Sequence, residues 1–339
     1  MDKHFISMMH NNSLLMLKND PVYYYYHNQT HESYPSPPFA IIFSSISLLG
    51  VVANVVLLVY IIVHKLYNNF ISSYFIAHLC ITNIIALTTI MPVFIYNVWT
   101  GTNLFQNHNL LCRIQALTIC SIWMVLALMS LCIAGVHLLT FARIHYDQLF
   151  GLKPGILCGL SWLISFALAL PSITNGHVVI YGPSVRSCIW GHSDSGLKFL
   201  VYILCFGVIA PAFFSSYAYI RVLGILYHSP IVFQSLGLYK SRFLVYAFLL
   251  SPLYQLPFYT FTTLHLRHEW RIGKDTIWPA LIMFFAFFQS IVSPFFYGAS
   301  LFMMKEEDMA LTARTHKNPA AYQHVHQQQT HNPAQAQLI

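Results

Sequence analysis

The chain has 339 residues, of which 57% are hydrophobic and only 8% are charged, and its formal net charge is +7. A soluble domain carries about a quarter charged residues because its surface faces water, so this composition excludes a soluble globular protein of this size. The lysines and arginines are scattered singly among apolar residues, which argues against a nucleic-acid partner.

The first segment, residues 1–38, is polar and rich in His, Asn, Tyr and Pro. It has none of the features of a secretory signal peptide, so we expect the first apolar segment to direct membrane insertion. Two N-x-S/T sequons, at Asn11 and Asn28, predict glycosylation, which requires that the segment lie outside the cell. We therefore expect a disordered, glycosylated extracellular tail.

Seven apolar runs follow, each long enough for the roughly 20 residues that a spanning helix needs. No Asp or Glu occurs between Glu32 and Asp147, or between Asp194 and Glu269. Because the loops are short, neighbouring helices should pack antiparallel in one bundle. Residues 39–302 are thus predicted to form an all-α domain, a seven-transmembrane helix bundle. The predicted spans are Phe39–Val63, Ser73–Val98, Leu110–Phe141, Pro154–Thr174, Gly196–Tyr227, Tyr239–Leu264 and Thr276–Phe302.

The orientation of the bundle depends on the sequons and the cysteines, because Lys and Arg divide almost evenly between the two sides. Cys112 lies at one end of the third span, and Cys188 lies in the loop between spans four and five. Both would face the oxidising side, so we predict that they form a disulfide. The N-terminus is then extracellular and the C-terminus cytoplasmic. The other cysteines are expected to be small buried hydrophobes: Cys80, Cys120, Cys132, Cys158 and Cys205.

The last segment, residues 303–339, changes to charged residues and then to a Gln-, His- and Asn-rich sequence. This pattern predicts a short amphipathic helix followed by a disordered cytoplasmic tail.

Landmark residues at consistent spacing run along the spans. They are Asn54 in span one, Trp99-Thr-Gly101 in the first outer loop, Cys112 opening span three, Trp162 and Pro171 in span four, Pro211 and Tyr219 in span five, Pro257 in span six, and Pro294-Phe-Phe-Tyr297 in span seven. With the pair Cys112–Cys188, this ordered set resembles the rhodopsin-like family of G-protein-coupled receptors over residues 39–312. The resemblance implies a multi-pass plasma-membrane receptor with an extracellular ligand, a heterotrimeric G protein and arrestin as partners, and neither a cofactor nor enzymatic activity.

The resemblance also assigns a set of switch or coupling residues: Asn54, Asn83, His137, Tyr219, Pro257, Pro294 and Tyr297. Several of them depart from the family pattern. Asn83 stands in place of an acidic residue that helps to hold sodium, so we expect no sodium regulation. Val136-His137-Leu138 replaces Asp-Arg-Tyr, Tyr254-Gln255-Leu256-Pro257 replaces Cys-Trp-x-Pro, and Ser293 replaces the Asn before Pro294. His137 is expected to donate a hydrogen bond toward Tyr219, although it lacks the permanent guanidinium of Arg.

The resemblance implies a ligand pocket between spans three, five, six and seven. Its predicted lining contains neither a carboxylate nor a lysine, which disfavours amine ligands and a retinal Schiff base. We expect a lipophilic or small aromatic ligand, or a peptide, with basic residues at the rim (Arg186, Lys198 and Arg267). The predicted pocket residues are Ile119, Trp123, Ile203, Gly207, Gln255, Phe258, Tyr259, Thr262, Met283 and Phe287.

Three alternatives stay open. The altered triplet around His137 fits a receptor-like protein that binds a ligand or partners without coupling to G proteins. A channel or transporter would need polar or charged residues along a path through the membrane, and the spans contain no Asp or Glu. An enzyme would need a nucleophile with a base, and no acidic residue can support His78 or His137. No C-x-x-C pair suggests a metal site.

Overall fold

The computed structural model describes residues 34–105, 108–142, 144, 146, 151–191, 193–228, 242–250, 254–268 and 276–317. The predicted glycosylation sites Asn11 and Asn28 and the predicted tail from residue 318 onward lie outside this part of the chain.

Helices dominate the described residues, with one short antiparallel hairpin. The elements are α1 (Pro37–Val63), α2 (Ser72–Thr100), α3 (Asn109–Ala142), α4 (Pro154–Thr174), β1 (Val179–Gly182), β2 (Ser187–Trp190), α5 (Asp194–His228), α6 (Arg242–Leu250), α7 (Leu256–His268), α8 (Trp278–Ala286) and α9 (Phe288–Lys317).

Within the described residues, six helices are long and apolar enough to cross a membrane: α1 to α5, and the stretch Trp278–Met303 formed by α8 and part of α9. Their bounds differ from the predicted ones by at most two residues, so six of the predicted spans are confirmed as helices whose length and composition suit a membrane protein. The predicted sixth span, Tyr239–Leu264, corresponds to α6 and α7. Residues 251–253 between these two helices lie outside the described part.

The outer surface of the bundle is apolar, and its interior contains polar side chains. On α1, Leu48, Val56 and Val63 are more than half exposed, whereas Asn54 is fully buried. Soluble proteins bury such aliphatic residues and do not expose large contiguous apolar patches. This distribution fits a protein whose helices are surrounded by lipid.

Two of the spanning helices contain a π-helical turn next to a proline. In α2 the turn Ala86–Ile90 comes before Pro92, and in α5 the turn Leu204–Ile209 comes before Pro211. Proline has no backbone N–H, so the carbonyl four residues earlier loses its usual partner and the helix widens locally. Pro211 is one of the landmark residues, but the sequence did not indicate a π-turn before it.

The α3 helix is the centre of the bundle. It packs against α2, α4 and α5, while α1 packs against α2 and α9. The α6 helix packs against α5 and α9, and α7 packs against α8. Pro257 is the second residue of α7, and Pro294 lies inside α9, which continues to Lys317.

Candidate functional site

The hairpin β1–β2 is joined to the beginning of α3 by the disulfide Cys112–Cys188, with a Cα–Cα distance of 5.4 Å. The predicted pairing is therefore confirmed. Cys80, Cys120 and Cys158 are buried as predicted. Cys132 is only half-buried, and Cys205 is exposed, because it lies on the outer face of the π-turn in α5. The end of the bundle that carries the hairpin is called the disulfide end below.

Hydrogen bonds also attach the hairpin to α2, to the backbone before α1 and to α3. Asn97 Nδ2 on α2 donates to the Arg186 carbonyl at 3.0 Å, and the Arg186 guanidinium donates to the Tyr34 carbonyl at 2.8 Å. The Cys188 N–H donates to Gln115 Oε1 on α3 at 3.3 Å. Arg186 adopts φ = 57°, a left-handed conformation that is uncommon for a residue other than glycine, between these attachments.

Two of the residues that the sequence placed at the rim of the pocket have polar partners of their own. Arg186 is buried inside the hairpin attachment, and this burial lowers the pKa of its guanidinium. Burial likewise raises the pKa of the neighbouring Tyr181, which the positive charge of Arg186 partly opposes. Lys198 forms an exposed ion pair with Asp194 at 2.6 Å, one turn away on α5.

A close backbone contact holds the start of α5 against the hairpin. A Cβ atom added at Gly196 would lie 2.9 Å from both the carbonyl carbon and the nitrogen of Gly191, and closer still to its carbonyl oxygen. Neither backbone can yield without a shift of the hairpin or of the helix. Glycine is thus required at this position for packing.

Gly196→Ala should therefore lower the melting temperature of the purified protein by the equivalent of about 1–3 kcal/mol, the usual cost of overpacking. Gly224→Ala is the matched control on the same helix, because nothing lies within 4 Å of the added methyl. Alanine is favoured over glycine within a helix by about 0.5–1 kcal/mol, so the control should melt at the same temperature as wild type or slightly above it. Equal melting temperatures for the two variants would contradict the packing role of Gly196.

Below the hairpin, five aromatic side chains form what we call the aromatic cluster: Trp123, Trp190, Phe258, Tyr259 and Phe287. The Trp123 ring lies 5.1 Å from Phe258, 5.9 Å from Tyr259 and 5.3 Å from Phe287. Trp190 contacts the same Phe258 and Tyr259 from the hairpin. The cluster joins α3, α7, the junction between α8 and α9, and the hairpin.

All ten predicted pocket residues are buried. Four of them belong to the aromatic cluster, and Ile119, Ile203 and Met283 are buried as well. Gly207 lies so near α3 that a Cβ there would be 2.7 Å from Met124, and Thr262 donates to the backbone of its own helix. That these residues bind a ligand stays a prediction.

Gln255, the remaining pocket residue, lines a small cavity deeper in the bundle. The cavity has a volume of about 20 Å³. A site of roughly 10–15 Å³ or more with several polar partners can hold a water molecule. Its polar lining residues are Ser130, Ser215, Gln255 and Gln289.

A hydrogen-bonded group, called the polar junction here, links α1, α2 and α9. Asn54 Nδ2 donates to the Gly50 carbonyl at 2.8 Å and to the Ser290 carbonyl at 2.9 Å. Asn83 Nδ2 donates at 2.9 Å to both Asn54 Oδ1 and Ser293 Oγ. Asn83 and Ser293, two of the departures from the family pattern, are thus bonded to each other.

Toward the opposite end from the disulfide, four rings form the inner aromatic stack: His137, Tyr219, Phe248 and Tyr297. Phe248 lies 5.7 Å from His137, 5.5 Å from Tyr219 and 4.8 Å from Tyr297. The stack joins α3, α5, α6 and α9.

The expected hydrogen bond from His137 to Tyr219 is not formed. Their ring centroids are 6.2 Å apart, and within the described residues neither His137 Nε2 nor the Tyr219 hydroxyl has a hydrogen-bond partner. Instead, the His137 ring packs against the Phe248 ring, with the two ring planes tilted relative to each other. The prediction was wrong because the sequence could not show that Phe248 lies beside both residues.

Trp190 and Phe248 are the two central residues that the sequence did not single out. Phe248 is one of 26 phenylalanines, so nothing in the pattern distinguishes it. Trp190 carries a weak signal, since it lies two residues after Cys188 and the disulfide brings it to the mouth of the bundle.

No model of a known protein family matches the sequence, and no curated protein matches it.

Proposed function

We propose that this chain is a plasma-membrane receptor that resembles the rhodopsin-like G-protein-coupled receptors and signals by rearrangement of its helices. In this proposal α6 and α7 belong to the sixth span along the chain, which brings the number of spans to seven. The N-terminus and the disulfide end are extracellular, because disulfides form on the oxidising side of the membrane.

The observation that carries the proposal is that α3 and the α8–α9 segment take part in both aromatic groups. The aromatic cluster joins α3, α7 and the α8–α9 junction, and the inner aromatic stack joins α3, α5, α6 and α9. Trp123 and His137 are 14 positions apart on α3, which corresponds to about 21 Å along the helix axis. A ligand that separates rings in the cluster would also move the segments that hold the stack.

Proline and π-turns supply the freedom that such a movement needs. Pro294 interrupts the hydrogen bonding inside α9, and α5 contains the π-turn before Pro211. Helices with missing backbone hydrogen bonds can adopt two arrangements when neighbouring helices compensate. A ligand shifts such an equilibrium only as far as its affinities for the two arrangements differ.

The proposed ligand is lipophilic or a small aromatic molecule, or a peptide that touches the hairpin. The aromatic cluster contains neither an acidic nor a basic side chain, so a charged amine would find no counter-ion there. Aromatic rings contribute large buried areas and prefer offset or edge-to-face partners.

A recruitment screen tests the proposal directly. Cells that express the full chain are exposed to lipid, small-aromatic and peptide libraries, and the recruitment of G proteins and arrestin is measured. A ligand that recruits either effector supports the proposal, and binding without recruitment of any effector favours a receptor-like protein that does not couple. A channel or transporter would instead show current or uptake.

One observation favours the non-coupling alternative. His137 stands where coupling receptors of this type have Arg, and within the described residues it has no polar partner. His137→Arg should raise basal G-protein signalling, because the introduced guanidinium can donate to the unpartnered Tyr219 hydroxyl and link α3 to α5. The measurement is ligand-free second-messenger output across a panel of G proteins, normalised to surface expression.

His137→Lys is the control, because lysine adds a positive charge but lacks the planar set of donors that the arginine guanidinium has. An unchanged output for His137→Arg across the whole panel would favour the non-coupling protein.

A further inference from the structure

Trp190 is a loop residue that lies inside the bundle. It ends β2, only 2% of its surface is exposed, and its indole stacks on Tyr259 with ring centroids 5.4 Å apart and an interplanar angle of 16°. The edge of the indole meets Phe258 at 5.6 Å. Segments between helices normally run over the surface, so this insertion is unusual.

The hairpin is held so that Trp190 stays in this place. The disulfide at Cys188 is two residues away, and Trp190 pairs with Val179 across the hairpin. The Gly191 N–H donates to the Val178 carbonyl at 2.7 Å, immediately after Trp190. Attachments on both sides of the tryptophan fix its backbone, so the indole is positioned by the hairpin as a whole.

The aromatic cluster offers the ring contacts that a flat aromatic ligand would use. Phe258 and Tyr259 each contact both indoles, Trp123 and Trp190. Edge-to-face and stacked contacts at about 5–6 Å are those that aromatic rings prefer. Trp190 thus occupies the position that a flat aromatic ligand would take against Phe258 and Tyr259.

Three polar atoms in the cluster are not satisfied by this arrangement. Trp123 Nε1, Trp190 Nε1 and the Tyr259 hydroxyl are buried and have no hydrogen-bond partner within the described residues. Buried tryptophan N–H and tyrosine O–H groups normally find an acceptor. A ligand that brings a hydrogen-bond acceptor to the cluster would make an interaction that the Trp190 indole cannot make.

We propose that Trp190 is a built-in occupant of the aromatic cluster, and that the ligand of this site is a flat aromatic molecule with a hydrogen-bond acceptor that takes the place of the Trp190 indole. The inference rests on the proposed function in so far as the cluster is a ligand site. Because the indole is tethered, it acts at an effective concentration in the millimolar range and competes with any free ligand.

The test uses Trp190→Ala in the purified full-length chain, with indole as the probe. The truncation leaves the position of the Trp190 side chain empty. Free indole should therefore raise the melting temperature of Trp190→Ala by about 3–8 °C at a concentration of a hundred times its dissociation constant. Its affinity for Trp190→Ala should exceed that for wild type by at least about tenfold, since wild type retains the tethered competitor. Indole-3-carbaldehyde, which adds a carbonyl acceptor, should bind Trp190→Ala more tightly than indole does.

Trp278→Ala is the matched control, because it removes the same side chain from a position that is 67% exposed. It should respond to indole as wild type does. The absence of a shift in folded Trp190→Ala, or an equal shift in wild type, would overturn the proposal. If Trp190→Ala does not fold, Trp190→Leu keeps apolar bulk at the site and is judged by the same two criteria.

The outcome is independent of the recruitment screen. Thermal stabilisation by indole needs only the folded chain, so a failure to recruit G proteins or arrestin leaves this result unchanged. A negative indole result in turn leaves the receptor proposal open to a ligand that binds elsewhere in the bundle.

Discussion

Substituting serine for either Cys112 or Cys188 is expected to remove most of the protein from the cell surface. The disulfide closes a loop with a sequence separation of 76 residues. In the chain-entropy model a loop of this size corresponds to about 4–5 kcal/mol of stabilisation. The free energy of unfolding of a protein is only about 5–15 kcal/mol, so losing the disulfide removes a large share of the stability.

The disulfide also has a local role that adds to this loss. It holds the hairpin whose Trp190 completes the aromatic cluster. Without it, the hairpin would be held only by packing and by hydrogen bonds such as those to Asn97, Gln115 and Tyr34. Each such hydrogen bond contributes about 0.5–1.5 kcal/mol, which is less than the covalent link.

Surface staining of an epitope added at the N-terminus, on intact and permeabilised cells, measures this effect. The double substitution Cys112→Ser/Cys188→Ser should be no worse than either single one, because both remove the same bond. Cys205→Ser is the control, since its side chain is exposed and unpaired. Normal surface levels in both single variants would contradict the role of the disulfide, and staining only after permeabilisation of wild type would contradict an extracellular N-terminus.

The spanning helices could be predicted because their signal is local. A run of about 20 apolar residues identifies a span whatever it packs against, and Pro37–Val63 or Pro154–Thr174 contain such runs. The pairing of Cys112 with Cys188 followed from their positions at one end of the bundle. In these cases composition and position were sufficient.

The site could be predicted only in part, because its contacts depend on how helices rotate and on where the hairpin inserts. The inward positions of Phe258, Tyr259 and Phe287 were expected from the resemblance to the receptor family, and all three side chains are buried. The insertion of Trp190 depends on attachments to Asn97 and Gln115, which are far away in the sequence. Likewise, Phe248 lies beside both His137 and Tyr219 only because α6 packs against both α5 and α9.

The second large effect is expected from Asn54→Leu, which removes the centre of the polar junction. The substitution retains volume but leaves the Ser290 carbonyl without its bond from α1 and Asn83 Nδ2 without Asn54 Oδ1. Interhelical hydrogen bonds in membranes contribute roughly 0.6–2 kcal/mol each, so we expect a loss of about 1–4 kcal/mol. Thermal unfolding of the purified protein in detergent measures it.

The matched control for Asn54→Leu is Ser45→Ala on the same helix, because the Ser45 hydroxyl donates only to the Ile41 carbonyl on an exposed face. It should change the melting temperature little. A double-mutant cycle with Asn83→Leu then isolates the bond between the two asparagines. Since Asn54→Leu and Asn83→Leu remove one shared hydrogen bond, the double variant should lose less stability than the sum of the single variants. Strict additivity would mean that the two amides act separately, and that α1, α2 and α9 are not held by one connected junction.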